Sequence, residues 1–232
     1  MIQAAIFDVF GTVVDWRSGI AAAFTPLLKA KGIDADPIAL ADAWRAEYQP
    51  SMERIRNGAR GYVALDDLHL ENLDRILAAH GLEAEFSDRD RQKLNSAWEA
   101  LPPWSDVLPG LKALAKTHLL APCSNGSIAM MARLARNIGL PWHAVLGAEI
   151  ARDYKPKAEV YLASANALRL APEQVLMVAA HNSDLAAAAS QGLATAFVPR
   201  LNEYGPNTGE TDPTGPWTLT ATDFEDLARQ LA

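Results

Sequence analysis

Five short apolar runs constrain this chain more than anything else in it. They are Ala4–Phe7, Leu119–Pro122, Ala144–Gly147, Val175–Ala179 and Ala194–Val198. None alternates apolar with polar residues, so each reads as a strand covered on both faces. Helical spacing separates the last four. Ser127–Ile138 ends at Gly139, Glu159–Leu168 follows, and Leu185–Gln191 ends at Gly192. Glycine is the residue that most readily closes a helix in a left-handed conformation. Strand and helix in alternation imply an α/β fold with a parallel, doubly wound sheet.

Residues between the first and second strands behave differently. From Trp16 to about Pro103 there is no strand-like run, and Ala, Leu, Arg and Glu dominate. Leu65, Leu68, Leu70, Leu73, Ile76 and Leu77 mark an amphipathic helix that breaks at Gly81. Ala39–Ile55 and Asp88–Leu101 are expected to be helical too, and Pro102-Pro103 closes the segment. The expected organisation is a core of residues 1–15 and 103–232 with a helical cap domain, 16–102, inserted after the first strand. Leu201–Pro216, rich in Gly, Pro, Asn and Thr, reads as loop.

Composition excludes several roles. The net charge is -7, and no basic run or stripe offers a footprint for nucleic acid. The lone cysteine, Cys123, permits no internal disulfide and suits a reducing cytoplasm. No apolar stretch approaches the ~20 residues that span a bilayer. A soluble cytoplasmic protein without a membrane partner is the expectation.

In an open parallel sheet, ligands bind beyond the carboxyl ends of the strands. Strand one is followed by Asp8, Gly11 and Thr12. Strand two leads into Ser124-Asn125-Gly126, and strand three into Tyr154-Lys155-Pro156. Strand four ends at His181-Asn182-Ser183-Asp184. Singly, each cluster has a structural reading: a turn or N-cap for the aspartates, a strand-to-helix turn for Ser-Asn-Gly, a core histidine for His181. Four on one rim are a site.

Taken together, in this order and spacing, these motifs resemble the haloacid dehalogenase superfamily over nearly the whole core. The resemblance implies a Rossmann-like sheet with a cap. Most members of that superfamily are Mg²⁺-dependent phosphatases with Asp-x-Asp in the first motif. Here the second position is Phe10, which can neither give nor take a proton. The fourth motif, AAHNSD, keeps Asp184 as its only carboxylate. Mg²⁺ favours several hard oxygen ligands, so neither metal nor cofactor is expected.

The combination is similar to the L-2-haloacid dehalogenase branch, which implies a hydrolytic dehalogenase acting on small haloacids. In that branch the aspartate displaces halide from carbon, and water then hydrolyses the aspartyl ester. Carried over, Asp8 is the nucleophile. Arg45, in AWRAEY, and Asn125 hold the halide. Thr12, Ser124 and Lys155 orient Asp8 and bind the substrate carboxylate. Lys155 and Asp184 form the charge network around Asp8 and the hydrolytic water, and Tyr161 belongs to the surround. Arg17, Arg54, Arg56 and Arg60 rival Arg45. Relatives of this kind suggest a homodimer. The family pattern Ser-Ser-Asn-x-Trp-Asp is replaced by Ala179 through Asp184, with His181 for Asn and Ser183 for Trp. Phe10 stands where Tyr is common, and Ala46 where Gln is common, so the substrate pocket is reshaped. His181 is expected to donate to a poor leaving group such as fluoride, which brings fluoroacetate into range. The alternatives are a phosphatase of the same superfamily and a non-catalytic carboxylate binder.

Overall fold

In the computed structural model, which describes all 232 residues, six strands form one parallel sheet. They are β1 (Ala4–Phe7), β2 (Leu119–Ser124), β3 (Leu146–Gly147), β4 (Val175–Ala179), β5 (Ala194–Phe197) and β6 (Leu219–Thr220), in the order β3-β2-β1-β4-β5-β6. β1 lies at the centre, with Ala4 opposite Leu119 on one side and Val175 on the other. Ala5 and Phe7 join one hydrophobic cluster and Ile6 the other, as the two-residue period of a strand requires. Both faces are therefore covered, and the unbroken apolar runs follow from that.

The strands differ from the sequence reading at several ends: β2 runs two residues past its expected run, to Ser124, and β5 stops one short, at Phe197. Only Leu146 and Gly147 of the third run reach the ladder, against Cys123 and Ser124. β6 was not expected: two residues, one half-buried and one exposed, leave no apolar run to read.

The helices that follow β1 are α1 (Trp16–Lys31), α2 (Pro37–Ala46), α3 (Tyr48–Arg56), α4 (Leu65–Ala79) and α5 (Asp88–Asn95). The remaining six are α6 (Val107–Leu114), α7 (Ile128–Ile138), α8 (Ala148–Ala151), α9 (Ala158–Ala167), α10 (Asn182–Ala189) and α11 (Phe224–Gln230). Local sequence sets their ends. Asp15 and Ser127 accept from Ser18 and Met130 amides, Pro37 starts α2, and Ser87 with Asp90 forms a capping box. The helix expected over Ala39–Ile55 is two helices, broken at Glu47. Pro50 has no N–H for the Ala46 carbonyl and its ring crowds that turn. Asp88–Leu101 is also interrupted: α5 ends at Asn95 and a 3₁₀ turn, Ser96–Glu99, follows. α10 begins at Asn182, three residues before the helix expected there.

The helical insertion is packed onto the end of β1 by aromatic contacts. Phe10 meets Trp98 edge to face at 5.5 Å, Trp98 meets Trp44 at 5.5 Å, and Trp44 meets Phe24 at 5.9 Å. Each such pair adds about 0.5–1.5 kcal/mol beyond the area it buries. No helix is long and apolar enough to cross a membrane.

Candidate active site

The rim of the sheet around β1 brings the sequence-derived residues together. The Asp8 amide still bonds to the Val178 carbonyl at 3.0 Å, so the residue is held beside β4 as the chain leaves the sheet. Its side chain is 11 % exposed. Lys155 Nζ donates to Oδ1 at 2.8 Å, and Thr12 Oγ1 donates to Oδ2 at 2.7 Å. Thr12 is itself fixed, accepting from the Ala180 amide at 2.9 Å. Lys155 also donates to Asp184 Oδ2 at 2.5 Å, and Tyr161 donates to Asp184 Oδ1 at 2.6 Å. His181 Nδ1 lies 3.2 Å from Asp8 Oδ2.

These contacts set the charges. Burial on its own would raise the Asp8 pKa. The Lys155 charge, with the hydrogen bond and charge of His181, outweighs it and holds the carboxyl well below the usual carboxylate range. Burial would lower Lys155, but Asp184 and Asp8 hold it above the ordinary lysine value. Burial opposes the His181 charge too, yet hydrogen bonds to Asp8 and Glu203 raise that ring to about 10. Burial, reinforced by Asp184, pushes the Tyr161 phenol up, so it stays a neutral donor.

Asp8, Asn125, Lys155 and Asp184 line a cavity of about 380 Å³, and Phe10 and Arg45 line it with them. Asn125 Oδ1 accepts from the Lys155 amide at 2.9 Å, which assigns the carbonyl end of that side chain and leaves its NH₂ free. Arg45 differs from its rivals in its partners. Arg17 is held bidentate by Asp42 and Arg60 by Glu71, Arg56 donates to the Lys155 carbonyl, and Arg54 is exposed. Arg45 makes no ion pair; its guanidinium stacks 4.0 Å from the Tyr48 ring centroid and 5.2 Å from that of Trp16. Its Nη1 is buried without a hydrogen-bond partner.

Two expected residues sit elsewhere. Thr12 and Ser124 do not line the cavity: both are fully buried, Thr12 supporting Asp8 and Ser124 Oγ accepting from the Gly126 amide to close the turn after β2. His181 does line it, with its two ring nitrogens against the Asp8 and Glu203 carboxylates.

Other groups have no role assigned from the sequence, which places Glu203-Tyr204 only in a loop that could cover the rim. Glu203, 1 % exposed, accepts from His181 Nε2 at 2.7 Å and from Trp16 Nε1 at 3.1 Å. It lies in the 201–216 loop, which also brings Tyr204 and Glu210 to the cavity. The one available signal was an acidic residue beside Tyr in a loop that follows β5. The main-chain N–H groups of Phe10 and Asn125 have no hydrogen-bond partner. His69, buried against Trp98 with no partner for either ring nitrogen, is held neutral by burial and by the Arg45 charge. No group of three or more His, Cys, Asp or Glu side chains is placed to hold a metal ion.

Known proteins resemble this chain in sequence and fold. The (S)-2-haloacid dehalogenase of Xanthobacter autotrophicus is 28 % identical over 205 residues, covering 88 % of this chain and 77 % of its own. Among solved structures, the defluorinating L-2-haloacid dehalogenase Rha0230 superposes with a TM-score of 0.95 at 46 % identity, covering 99 % of this chain and 95 % of its own. The L-2-haloacid dehalogenase PA0810 gives 0.94 at 41 % identity, with both chains fully covered. A family model for haloacid dehalogenase-like hydrolases matches residues 2–192. That span takes in β1 with Asp8 and every strand end that builds the rim, and the chain belongs to the haloacid dehalogenase-like hydrolases.

Proposed function

We propose that this protein is a hydrolytic dehalogenase that converts short 2-haloacids, such as haloacetates and 2-halopropionates, to 2-hydroxyacids through an ester on Asp8. One observation carries the reading: an Asp8 held ionised and an Arg45 whose buried Nη1 has no partner line the same small cavity. In the first step an Asp8 oxygen bonds to the substrate carbon, and halide leaves with the bonding pair. The free N–H groups of Arg45 and Asn125 receive the anion as its charge develops. The main-chain N–H groups of Phe10 and Asn125 suit the substrate carboxylate. Lys155 holds Asp8 ionised, and Asp184 holds Lys155. In the second step water adds to the Asp8 carboxyl carbon and releases the hydroxyacid. Residues 16–102 serve as the cap that carries Arg45, over a core of 1–15 and 103–232.

Phe10 weighs against the phosphatase alternative, since it packs on Trp98 where an acid/base would be needed. The 46 % identical neighbour whose name includes "defluorinating" extends the proposed substrates to fluoroacetate. Burial pushes the Cys123 thiol up to about 12, in keeping with an inert cysteine in a reducing cytoplasm, and a homodimer is the proposed assembly. A halide-selective electrode with chloroacetate, 2-chloropropionate and fluoroacetate tests the function. Halide release that a chelator leaves unchanged is expected. Phosphate release that needs Mg²⁺, with no halide from any substrate, would overturn the reading.

A further inference from the structure

The first step as proposed leaves His181 and Glu203 unused, yet both are built in with care. His181 Nδ1 is 3.2 Å from Asp8 Oδ2, and Nε2 is 2.7 Å from Glu203 Oε2. Glu203 is buried, and Trp16 Nε1 fixes its other oxygen. A Cβ on Gly11 would overlap that carboxylate, so the glycine after Asp8 makes room for it. The ring thus stands between a fixed acceptor and the very group that becomes the ester.

Resting on the dehalogenase reading, we propose that His181 is the general base for hydrolysis of the Asp8 ester, and that Glu203 is the positioning residue that fixes its ring and tautomer. Before reaction, imidazolium faces carboxylate. Alkylation of Asp8 removes that negative charge, and the Nδ1 proton goes to solvent while Glu203 keeps the Nε2 proton in place. Water beside Nδ1 then attacks the Asp8 Cγ: the new C–O bond forms, the carbonyl pair moves to oxygen, and one water proton passes to Nδ1. Collapse breaks the bond between Cγ and the alkyl oxygen, and the departing alkoxide takes the Nδ1 proton to become hydroxyacid. Asp8, left as an acid, returns its proton to Nδ1, which restores the ion pair. One water enters; hydroxyacid, halide and one proton leave.

The test follows wild type, His181→Gln and Glu203→Gln by rapid quench with 2-chloropropionate, reading halide by ion chromatography and the Asp8 ester by intact-protein mass. His181→Gln is expected to release halide in a burst near one equivalent per site and then stall, with ester accumulating. General-base removal slows such a step by about 10²–10⁴-fold. Glu203→Gln should accumulate ester to a smaller degree, a readout that loss of packing alone would not produce. It carries the test should His181→Gln fail to fold. A burst slowed as much as turnover, with no ester in either variant, would overturn the proposal. Wild type that releases no halide would instead sink the dehalogenase reading.

Discussion

Replacing Lys155 with methionine removes the one cation that two buried carboxylates share. Lys155 is 7 % exposed and donates at 2.8 Å to Asp8 and 2.5 Å to Asp184. Its loss leaves both anions in place, with His181 as the remaining counterion of Asp8 and Tyr161 as the remaining donor to Asp184. Breaking a buried pair from one side costs about 3–5 kcal/mol, because a desolvated charge is left uncompensated. For a chain of this size, each kcal/mol moves the Tm by about 2–4 °C, so a drop of roughly 6–20 °C is expected. The deficit depends on pH in a defined direction. Asp8 is held below the ordinary carboxylate value in the folded wild type, so its contribution is present above that value and fades as pH falls through the depressed one. Lys155 is held above the ordinary lysine value, so its contribution is complete below that value and lost only in strong alkali. In the variant only His181 opposes burial at Asp8, so the carboxyl protonates at higher pH than in the wild type, and the gap between the two should narrow as pH falls toward the ordinary carboxylate range, about pH 4. Thermal unfolding by circular dichroism at several pH values measures it. A shift below about 2 °C that does not vary with pH would refute the charge network as described.

Two further outcomes follow from single contacts. Arg45→Lys keeps the charge but not the planar group stacked on Tyr48 and Trp16, nor the reach of Nη1; kcat/KM for halide release should fall by about 10²–10³-fold, as when one preorganised donor is lost, with little change in Tm. Gly11→Ala places a methyl group against the Glu203 carboxylate at φ +92°, where backbone strain costs about 1–3 kcal/mol; thermal unfolding should show that loss, and the site should lose turnover with it.

The parts of this molecule that were legible in the sequence are those governed by short-range rules. β1 and β4 run as expected because strands buried on both faces must be apolar at every position. The rim residues Asp8, Asn125, Lys155 and Asp184 could be located because each lies within a few residues of the end of a strand, and topology then gathers them. Arg45 lay in an insertion where several arginines looked alike, and only their partners separate it: Asp42 and Glu71 occupy two of its rivals. The role of Glu203 was out of reach for a different reason, although its loop could be seen to lie near the rim. It meets Trp16 across 187 residues and His181 across 22, from a loop with no periodicity to read. His181 has the same history: its place at the end of β4 was visible, but the carboxylate on the far side of its ring was not.

The central claim is that an oxygen of Asp8 becomes the hydroxyl oxygen of the product. A single turnover of enzyme in excess over 2-chloropropionate, run in heavy-oxygen water, tests it most directly. The account expects unlabelled 2-hydroxypropionate and label in the Asp8 carboxylate, found by mass spectrometry of the peptide that contains it. Label in the hydroxyl group of the product, with Asp8 unlabelled, would mean that water strikes the substrate carbon itself and would contradict the account.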